Sequence, residues 1–126
     1  MTGERIVLVV DDAEDCAATL DVALQSIPGL VVRYAASAEA ALPMLDGDSV
    51  SAVITDVQLP SMTGLELIGI IRRQDRFGRL PILVVSADPD PSVPGNAIQL
   101  GANAFFAKPF SPAAIRKKLE ELFHAV

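Results

Sequence analysis

The sequence predicts an α/β domain built on a five-stranded parallel sheet. Five short apolar segments, rich in β-branched residues, alternate with segments whose apolar residues recur at helical spacing. The first segment, residues 5–10, is apolar without alternation, which is typical of a parallel strand covered on both faces. With 126 residues, 51% of them apolar, the chain can bury one sizeable core. We therefore expect a single domain over residues 1–126, with its core at about 4–124.

The first helix follows this strand directly. Its apolar residues recur at helical spacing until Pro28 and Gly29 end the segment: Cys16, Leu20, residues 22–24 and Ile27. Asp12 is well placed to cap this helix. Cys16 lies on the apolar side one turn before Leu20, so we interpret it as a small core residue.

A second strand and helix come next. Residues 30–36 form the strand, and Ser37 is placed to cap a helix whose apolar side contains Ala40, Ala41, Leu42 and Leu45. Pro43 lies well past the first turn, where its missing N–H and its ring cost about 3 kcal/mol in a regular helix. We expect a short or kinked second helix.

The third helix follows the apolar strand that ends at Asp56. Thr63 and Glu66 have the spacing of a capping box, and the apolar side continues with Leu67, Ile68 and Ile71. The arginines at 72, 73, 76 and 79 raise the alternative of a nucleic-acid patch, but Asp75 interrupts them and no stacking aromatics are interleaved beyond Phe77. We interpret them as a solvated helix end, where the helix dipole favours cations.

The last elements contain several prolines. Residues 81–86 form a fourth strand, and residues 87–95 carry three prolines and predict an irregular loop before a short helix at 96–100. Gly101 suits the end of that helix. Residues 104–107 form a fifth strand. Ser111 and Pro112 then begin the last helix, whose apolar side contains Ile115, Leu119, Leu122 and Phe123 and which we expect to end before His124.

Composition excludes several classes of function. Ten basic and sixteen acidic residues give a formal charge of -6, which argues against nucleic-acid binding and against an anionic membrane surface. A lone cysteine excludes an internal disulfide and fits a reducing compartment, and the N-terminus lacks the apolar core of a signal peptide. No apolar run approaches the roughly 20 residues needed to span a bilayer. We expect a cytoplasmic protein.

Polar side chains follow four of the five predicted strands. They are Asp11 and Asp12 after the first, Asp56 after the third, Ser86 after the fourth and Lys108 after the fifth. The carboxyl ends of parallel strands share one edge, so we expect these side chains to meet. Carboxylates about 4 Å apart repel by roughly 4 kcal/mol at an effective dielectric of 20, and a divalent cation relieves this repulsion. Hard oxygen ligands that leave room for water suit Mg²⁺. Because Mg²⁺ usually binds one or two carboxylates together with phosphate oxygens, the site suits phosphoryl transfer.

Each group has a plausible part in that chemistry. Asp56 is the candidate nucleophile, Lys108 would neutralise charge on the phosphoryl oxygens, and Ser86 would donate a hydrogen bond to one of them. Taken singly, the aspartates are ordinary helix caps, the serine a turn residue and the lysine a surface charge. Four strand ends with matching chemistry favour the joint interpretation.

Over nearly its whole length the sequence resembles the receiver domain of bacterial two-component response regulators. The resemblance rests on four ordered motifs: VVDDAED at 9–15, ITDVQLPSMTG at 54–64, VVSA at 84–87 and GANAFFAKPF at 101–110. It implies a flavodoxin-like (βα)5 sheet of order 2-1-3-4-5. It also implies that Asp56 accepts a phosphoryl group from a histidine kinase or a histidine phosphotransfer protein.

The resemblance also assigns roles to other residues. Mg²⁺ would be held by Asp12, Asp56 and the backbone carbonyl of Gln58, with Asp11 acting mostly through a metal-bound water. Lys108 would bind the phosphoryl group, while Ser86 and Phe105 would move as the switch. The peptide bond before Pro109 would be cis. Such a domain catalyses only its own phosphoryl transfer and loss, and it regulates a protein partner or an output domain, in some members as a homodimer.

The sequence departs from the family pattern at several positions. Phe105 lacks the hydroxyl of the commoner tyrosine, and Leu59 replaces the usual methionine. Gln58 and Asp88 occupy positions that tune dephosphorylation. Pro89, Pro91 and Pro94 predict a shortened fourth helix, on a surface that the family often uses for output.

Three other functions are compatible with parts of the sequence. A haloacid dehalogenase-like phosphatase requires a second aspartate, its general acid, two residues after the nucleophile. This chain has Gln58 at that position. A flavin-binding module wants hydroxyls and amides after the first strand, where this chain has Asp11 and Asp12. A pseudo-receiver would never accept a phosphoryl group. The presence of the acidic residues and of Lys108 argues against this interpretation. The chain is expected to be either a stand-alone receiver or the N-terminal part of a longer protein.

Overall fold

The computed structural model describes residues 5–47 and 49–124, and it contains five strands and five α-helices in that part of the chain. In chain order the elements are β1 (Arg5–Val10), α1 (Glu14–Leu24), β2 (Leu30–Ala35), α2 (Ala38–Gly47), β3 (Val50–Asp56), α3 (Gly64–Arg72), a 3-10 turn (Asp75–Phe77), β4 (Ile82–Ser86), α4 (Val93–Leu100), β5 (Ala104–Ala107) and α5 (Pro112–His124). The strands form one parallel sheet of order β2-β1-β3-β4-β5. This confirms the predicted fold class and strand order.

The two faces of the sheet carry separate cores. Successive side chains of a strand point to opposite faces, so Val53 packs under α2, α3 and α4 while its neighbour Ile54 packs under α1 and α5. Both residues are fully buried. Because helices cover both faces of the sheet, a ligand can reach the strands only at the loops along the carboxyl edge of the sheet. No helix within the described ranges is long and apolar enough to cross a membrane.

The start of α1 differs from the prediction. Asp12 does not cap the helix: the N-cap is Ala13, and it has no side-chain cap bond. Asp11 instead accepts a hydrogen bond from the Ala13 N–H at its Oδ1 (2.8 Å). Val22, placed on the apolar side from its spacing, is 71% exposed. Asp12 is therefore left free of the helix end and exposed at the mouth of the sheet edge.

Two helices are longer than predicted. The helix α2 continues through Pro43 to Gly47 and is ten residues long, so the expected shortening is not seen. The helix α4 begins at Val93 rather than at residue 96, because Pro94 falls in its first turn, where no intrahelical N–H bond is required. At the other end of the chain, His124 is the last residue of α5 and does not lie beyond it.

The predicted helix ends are otherwise present. The Ser37 hydroxyl accepts the Ala40 N–H, and the Ser111 hydroxyl accepts the Ala114 N–H. Thr63 and Glu66 form the predicted capping box at the start of α3. Gly101 follows α4 with a φ of 120°, a conformation that side-chain-bearing residues rarely adopt.

Arg72 was predicted to lie at a solvated helix end, and this is wrong. Its guanidinium is half-buried and donates to the Gly101 carbonyl oxygen from Nε (3.0 Å) and Nη2 (2.8 Å), and to the Phe77 carbonyl oxygen from Nη1 (2.7 Å). Nη2 also donates to the Asn103 side chain (3.2 Å). Burial lowers the pKa of Arg72. The planar fork joins the end of α3 to the end of α4.

Candidate functional site

Three carboxylates meet at the carboxyl edge of the sheet. Asp56 is the last residue of β3 and Asp11 directly follows β1, and these two strands are neighbours. One carboxylate oxygen from each of Asp11, Asp12 and Asp56 lies within 4.8 Å of the others. Asp11 is fully buried and Asp56 is 6% exposed, whereas Asp12 faces solvent. The cluster is therefore deep on one side and open on the other.

Lys108 pairs with both buried carboxylates. Its Nζ donates to Asp56 Oδ2 at 2.8 Å and to Asp11 Oδ2 at 3.0 Å. Its backbone N–H donates to the Ser86 carbonyl oxygen at 2.8 Å, and the Lys108–Pro109 peptide bond is cis, as the resemblance implies. Burial alone would lower the pKa of Lys108, but the hydrogen bonds and charges of Asp56 and Asp11 outweigh it and raise that pKa. The ammonium therefore stays charged throughout the neutral range.

Backbone contacts fix the position of Asp56. The Gln58 N–H donates to Asp56 Oδ1 at 3.1 Å, and the buried Thr55 hydroxyl donates to the Asp56 carbonyl oxygen at 2.9 Å. A Cβ built on Gly64, the first residue of α3, would lie 1.9 Å from that same carbonyl oxygen. Only glycine lets α3 begin this close to the strand end. Sequence analysis missed Thr55 and gave Gly64 no role, since neither contact has a signature in residue spacing.

Ser86 is at the adjacent strand end but bonds elsewhere. It is the last residue of β4 and is 1% exposed. Its hydroxyl accepts the Asp88 N–H at 3.0 Å, and within the described part of the chain it has no hydrogen bond to the carboxylate cluster. Phe105 on β5 pairs with Val84 on β4 and packs, partly buried, against the core under α2, α3 and α4. The structure thus brings the three aspartates and Lys108 together and leaves Ser86 bonded to its own loop.

The charges and donor atoms of the cluster suit a divalent cation. Three carboxylates against one ammonium leave a surplus of negative charge in a half-buried place. All three side chains offer hard oxygen ligands, and the exposed side at Asp12 leaves room for water ligands. This is the ligand chemistry that Mg²⁺ prefers. The cluster can therefore hold Mg²⁺, whose further ligands would be water or phosphate oxygens.

Cys16 lies beside the cluster. It is half-buried and packs against the core under α1 and α5, as the sequence predicted. Desolvation, together with a hydrogen bond to Asp11 and the charge of that carboxylate, raises the pKa of Cys16 to about 12. An open cavity of about 260 Å³ lies next to it and is lined by Asp15, Cys16, Thr19, Lys108, Pro109 and Phe110. The Cys16 thiol is thus protonated at neutral pH.

Comparison with known proteins decides the family. Residues 7–120 match the family model described as the response regulator receiver domain. The chain belongs to the response regulator receiver family. It is 30% identical over 120 residues to the chemotaxis protein CheY of Pseudomonas aeruginosa, covering 95% of this chain and 97% of that protein. It is 31% identical to chemotaxis protein CheY1 of Helicobacter pylori strain J99, covering 90% and 92%.

Solved structures of receivers share the fold. A response regulator receiver protein from Pseudomonas putida superposes with a TM-score of 0.82 at 31% identity and covers 100% of both chains. The chemotaxis response regulator CheY4 of Vibrio cholerae superposes with a TM-score of 0.83 at 29% identity, covering 94% of this receiver and 98% of that chain. Receivers in general bind Mg²⁺ at acidic residues and work with a histidine kinase. This receiver has an aspartate cluster at the corresponding edge of its sheet.

Proposed function

We propose that this receiver accepts a phosphoryl group on Asp56 in a Mg²⁺-dependent reaction. The donor would be a phosphohistidine of a histidine kinase or of a histidine phosphotransfer protein. The observation that carries the proposal is the Lys108 ammonium, which bonds to both Asp56 and Asp11 within a cluster of three carboxylates. A phosphoryl group carries negative charge on its oxygens while it is transferred. The Lys108 ammonium supplies one cation beside Asp56, and a Mg²⁺ ion bound by the cluster would supply a second.

The chemical step balances without a further reactant. A carboxylate oxygen of Asp56 attacks phosphorus, an O–P bond forms and the N–P bond of the donor breaks. The imidazole nitrogen keeps the bonding electron pair, and the donor leaves as a neutral histidine once it has taken up a proton. Asp12, Asp56 and the backbone carbonyl of Gln58 would hold Mg²⁺, with Asp11 acting through a bound water. The cation would neutralise charge on the transferring oxygens.

The chain's own residues would then hold the product. Lys108 would move from its bonds with Asp11 and Asp56 to a phosphoryl oxygen, which carries more negative charge than the carboxylate it replaces. Ser86 would donate a hydrogen bond to another phosphoryl oxygen, and Phe105 would move inward with it. Attack of water on phosphorus would release inorganic phosphate and restore Asp56. No other substrate is turned over, so the protein acts as a switch.

The switch would act through contact. As one domain over residues 1–126, working in the cytoplasm, it would regulate a protein partner or an output domain. Direct nucleic-acid binding is disfavoured by the formal charge of -6. Homodimerisation on phosphorylation is one way for such a domain to pass on its state.

Intact mass spectrometry tests the proposal. The protein is incubated with acetyl phosphate, with and without Mg²⁺, as wild type, as Asp56→Asn and as Asp46→Asn, a matched change at an exposed aspartate of α2. We expect a gain of one phosphoryl group that needs Mg²⁺, that is acid-stable and base-labile, and that only Asp56→Asn abolishes. Hydrolysis of a phosphomonoester without a phosphoryl adduct would favour the haloacid dehalogenase-like phosphatase. The absence of both would favour a pseudo-receiver.

A further inference from the structure

The outward side of α3 is apolar in its middle and oppositely charged at its two ends. Glu66 lies in the first turn, and Arg73 follows the helix with a helical backbone conformation; both are exposed. They are seven residues apart, which is two turns or about 10 Å, so they lie on the same side of the helix. The half-buried Gly69 and Ile70 lie between them. We call Leu65, Glu66, Gly69, Ile70 and Arg73 the outer face of α3.

An open groove runs between the outer face of α3 and the end of α4. It has a volume of about 300 Å³ and is lined by Leu65, Glu66, Gly69, Ile70, Arg73 and Leu100. Leu100, the last residue of α4, is 42% exposed. Within the described ranges, neither Ile70 nor Leu100 packs in either core of the sheet. Neighbouring apolar side chains that the fold leaves uncovered are typical of an interaction surface.

The two walls of the groove are fixed relative to each other. Arg72, the last residue of α3, donates from Nε and Nη2 to the carbonyl oxygen of Gly101, which directly follows Leu100. A bidentate guanidinium contact restrains both position and direction. The groove therefore has its shape before anything binds, and this lowers the entropy cost of binding.

The outer face of α3 is complementary to itself. A two-fold axis that crosses α3 midway between Gly69 and Ile70 would place the helix antiparallel to that of a second copy. Residues equally far from the midpoint then lie opposite one another, so Glu66 meets Arg73 of the second copy and Arg73 meets its Glu66. Ile70 meets Gly69, where the space is open. A Cβ built on Gly69 would have Arg73 Nη2, 3.8 Å away, as its nearest neighbour outside the helix backbone.

We propose that a second copy of this chain docks on the outer face of α3 and forms a two-fold dimer through antiparallel α3 helices. Each opposite-charge contact occurs twice, and Ile70 of each copy packs over Gly69 of the other. Because α3 has only nine residues, the contact area is small, and the dissociation constant should be on the order of 100 µM.

The dimer would leave both carboxylate clusters accessible. The helix α3 begins beside Asp56, since a Cβ on Gly64 would overlap the Asp56 carbonyl oxygen. Antiparallel α3 helices therefore direct the two clusters toward opposite ends of the dimer, where each stays open to a phosphodonor. None of the residues proposed to act on phosphorus belongs to the outer face. The association can thus be measured without any phosphoryl group, and it stands or falls separately from the function proposed above.

Sedimentation equilibrium of charge-reversed variants tests the dimer. It is run in about 0.15 M NaCl, which screens the general repulsion between two chains of charge -6. Glu66→Arg and Arg73→Glu each create like-charge contacts, so each variant alone should show a dissociation constant at least tenfold above wild type. An equimolar mixture restores both opposite-charge contacts and should associate within threefold of wild type. Wild type that stays monomeric at about 1 mM overturns the proposal, and so does a mixture that associates no better than its components.

A variant that keeps both charges gives an independent test, since Glu66 also serves the capping box of α3. Gly69→Leu fills the space that Ile70 of the second copy would enter, and it should raise the dissociation constant at least tenfold. Gly95→Leu is the matched control and should associate like wild type, because a Cβ on that exposed glycine of α4 meets no atom of the described residues within 4 Å.

Reversal of another exposed ion pair tests whether the surface is the right one. Arg116 and Glu120 form such a pair on α5, with Nε and Oε1 3.8 Å apart. The double variant Arg116→Glu/Glu120→Arg should keep the wild-type dissociation constant. Unchanged association in Gly69→Leu, or a tenfold loss of association in the α5 variant, overturns the dimer through α3.

Discussion

A divalent cation bound at the cluster would compete with Lys108 for the same carboxylates. The ammonium bonds to Asp11 and Asp56, and it stays charged because those bonds raise its pKa. Its stabilising contribution is therefore present below the pKa of a free lysine and is lost only as the pH rises through the raised value in strongly alkaline solution. Near pH 7 this ammonium would repel a cation bound at the cluster.

Replacing Lys108 should separate metal affinity from phosphorylation. Lys108→Met removes the competing charge, so we expect Mg²⁺ to bind roughly tenfold more tightly by titration calorimetry. Adduct formation with acetyl phosphate should nevertheless fall by tenfold or more, because the phosphoryl oxygens lose their fixed cation. Lys117→Met, on the exposed side of α5, is the control and should change neither value. Weaker Mg²⁺ binding in Lys108→Met would contradict the competition.

Cys16 should be unusually slow to react. With its pKa raised to about 12, its thiolate fraction at pH 8 is about a thousandfold smaller than that of a free thiol. We expect alkylation by iodoacetamide, in metal-free buffer at pH 8, to be slower by at least a hundredfold in the folded protein than in urea. Because the folded pKa is the higher one, folding also loses stability as the pH rises above about 9. Equal alkylation rates would contradict a raised pKa of the Cys16 thiol in the folded protein.

At the level of single residues, the sequence predicts the members of the carboxylate cluster better than the residues that position them. Asp56, Asp11 and Lys108 could be found because parallel strand ends share an edge, and the order of the strands then decides which residues meet. The cap predicted at Asp12 failed because the helix begins one residue later than such a cap requires, with Ala13 at the N-cap. The hydroxyl of Thr55 and the packing at Gly64 could not be found, because both depend on where a backbone carbonyl points.

The helix α3 depends on the absence of a side chain at its first residue. A methyl group on Gly64 would overlap the Asp56 carbonyl oxygen, so Gly64→Ala should lower the free energy of unfolding by about 3 kcal/mol or more. Gly69 is the matched control in the same helix, since its added Cβ would come no nearer than 3.8 Å to the Arg73 side chain. Gly69→Ala should stabilise by about 0.5–1 kcal/mol. Urea unfolding measures both, and equal effects would contradict the close approach.

At the level of elements, local pattern predicts the existence of each helix and strand, while proline positions mislead about their bounds. Pro43 is expected to shorten or kink α2, and the three prolines of residues 87–95 are expected to delay α4. The helix α2 is not shortened, because packing of Ala41 and Leu45 holds it together past its proline, and α4 begins at Val93 because Pro94 fits its first turn. Propensity is a weak prior that buried contacts override.

At the level of the whole molecule, the two-sided sheet was predictable from the unbroken apolar strands, whereas the strand order came from the family resemblance and not from periodicity. The arginines after α3 show the limit. Their spacing and charge suggest that all of them are exposed to solvent. Nothing in the sequence reveals that Arg72 donates a hydrogen bond to a carbonyl oxygen 29 residues away. Contacts of that range exist only once the chain has closed around both cores.

A change at Arg72 should therefore lower the stability of the fold without changing the phosphorylation of Asp56. It joins α3, the 3-10 turn and the end of α4 at the sheet edge opposite the carboxylates. Lysine keeps the charge but loses the planar fork, so Arg72→Lys should lower the free energy of unfolding by about 2–3 kcal/mol in urea. Arg73→Lys, one residue further on and exposed, should cost less than about 0.5 kcal/mol.

The same two variants should form the acetyl phosphate adduct at the wild-type rate in conditions where they are folded, because none of the groups proposed to act on phosphorus is touched. A loss of stability without a loss of adduct formation would place Arg72 in the frame that holds α4. If Arg72→Lys unfolds at the wild-type urea concentration, the hydrogen bonds of the guanidinium add little to stability, and α4 is held mainly by its buried side chains, Val93 in its first turn and Ala97 in its middle.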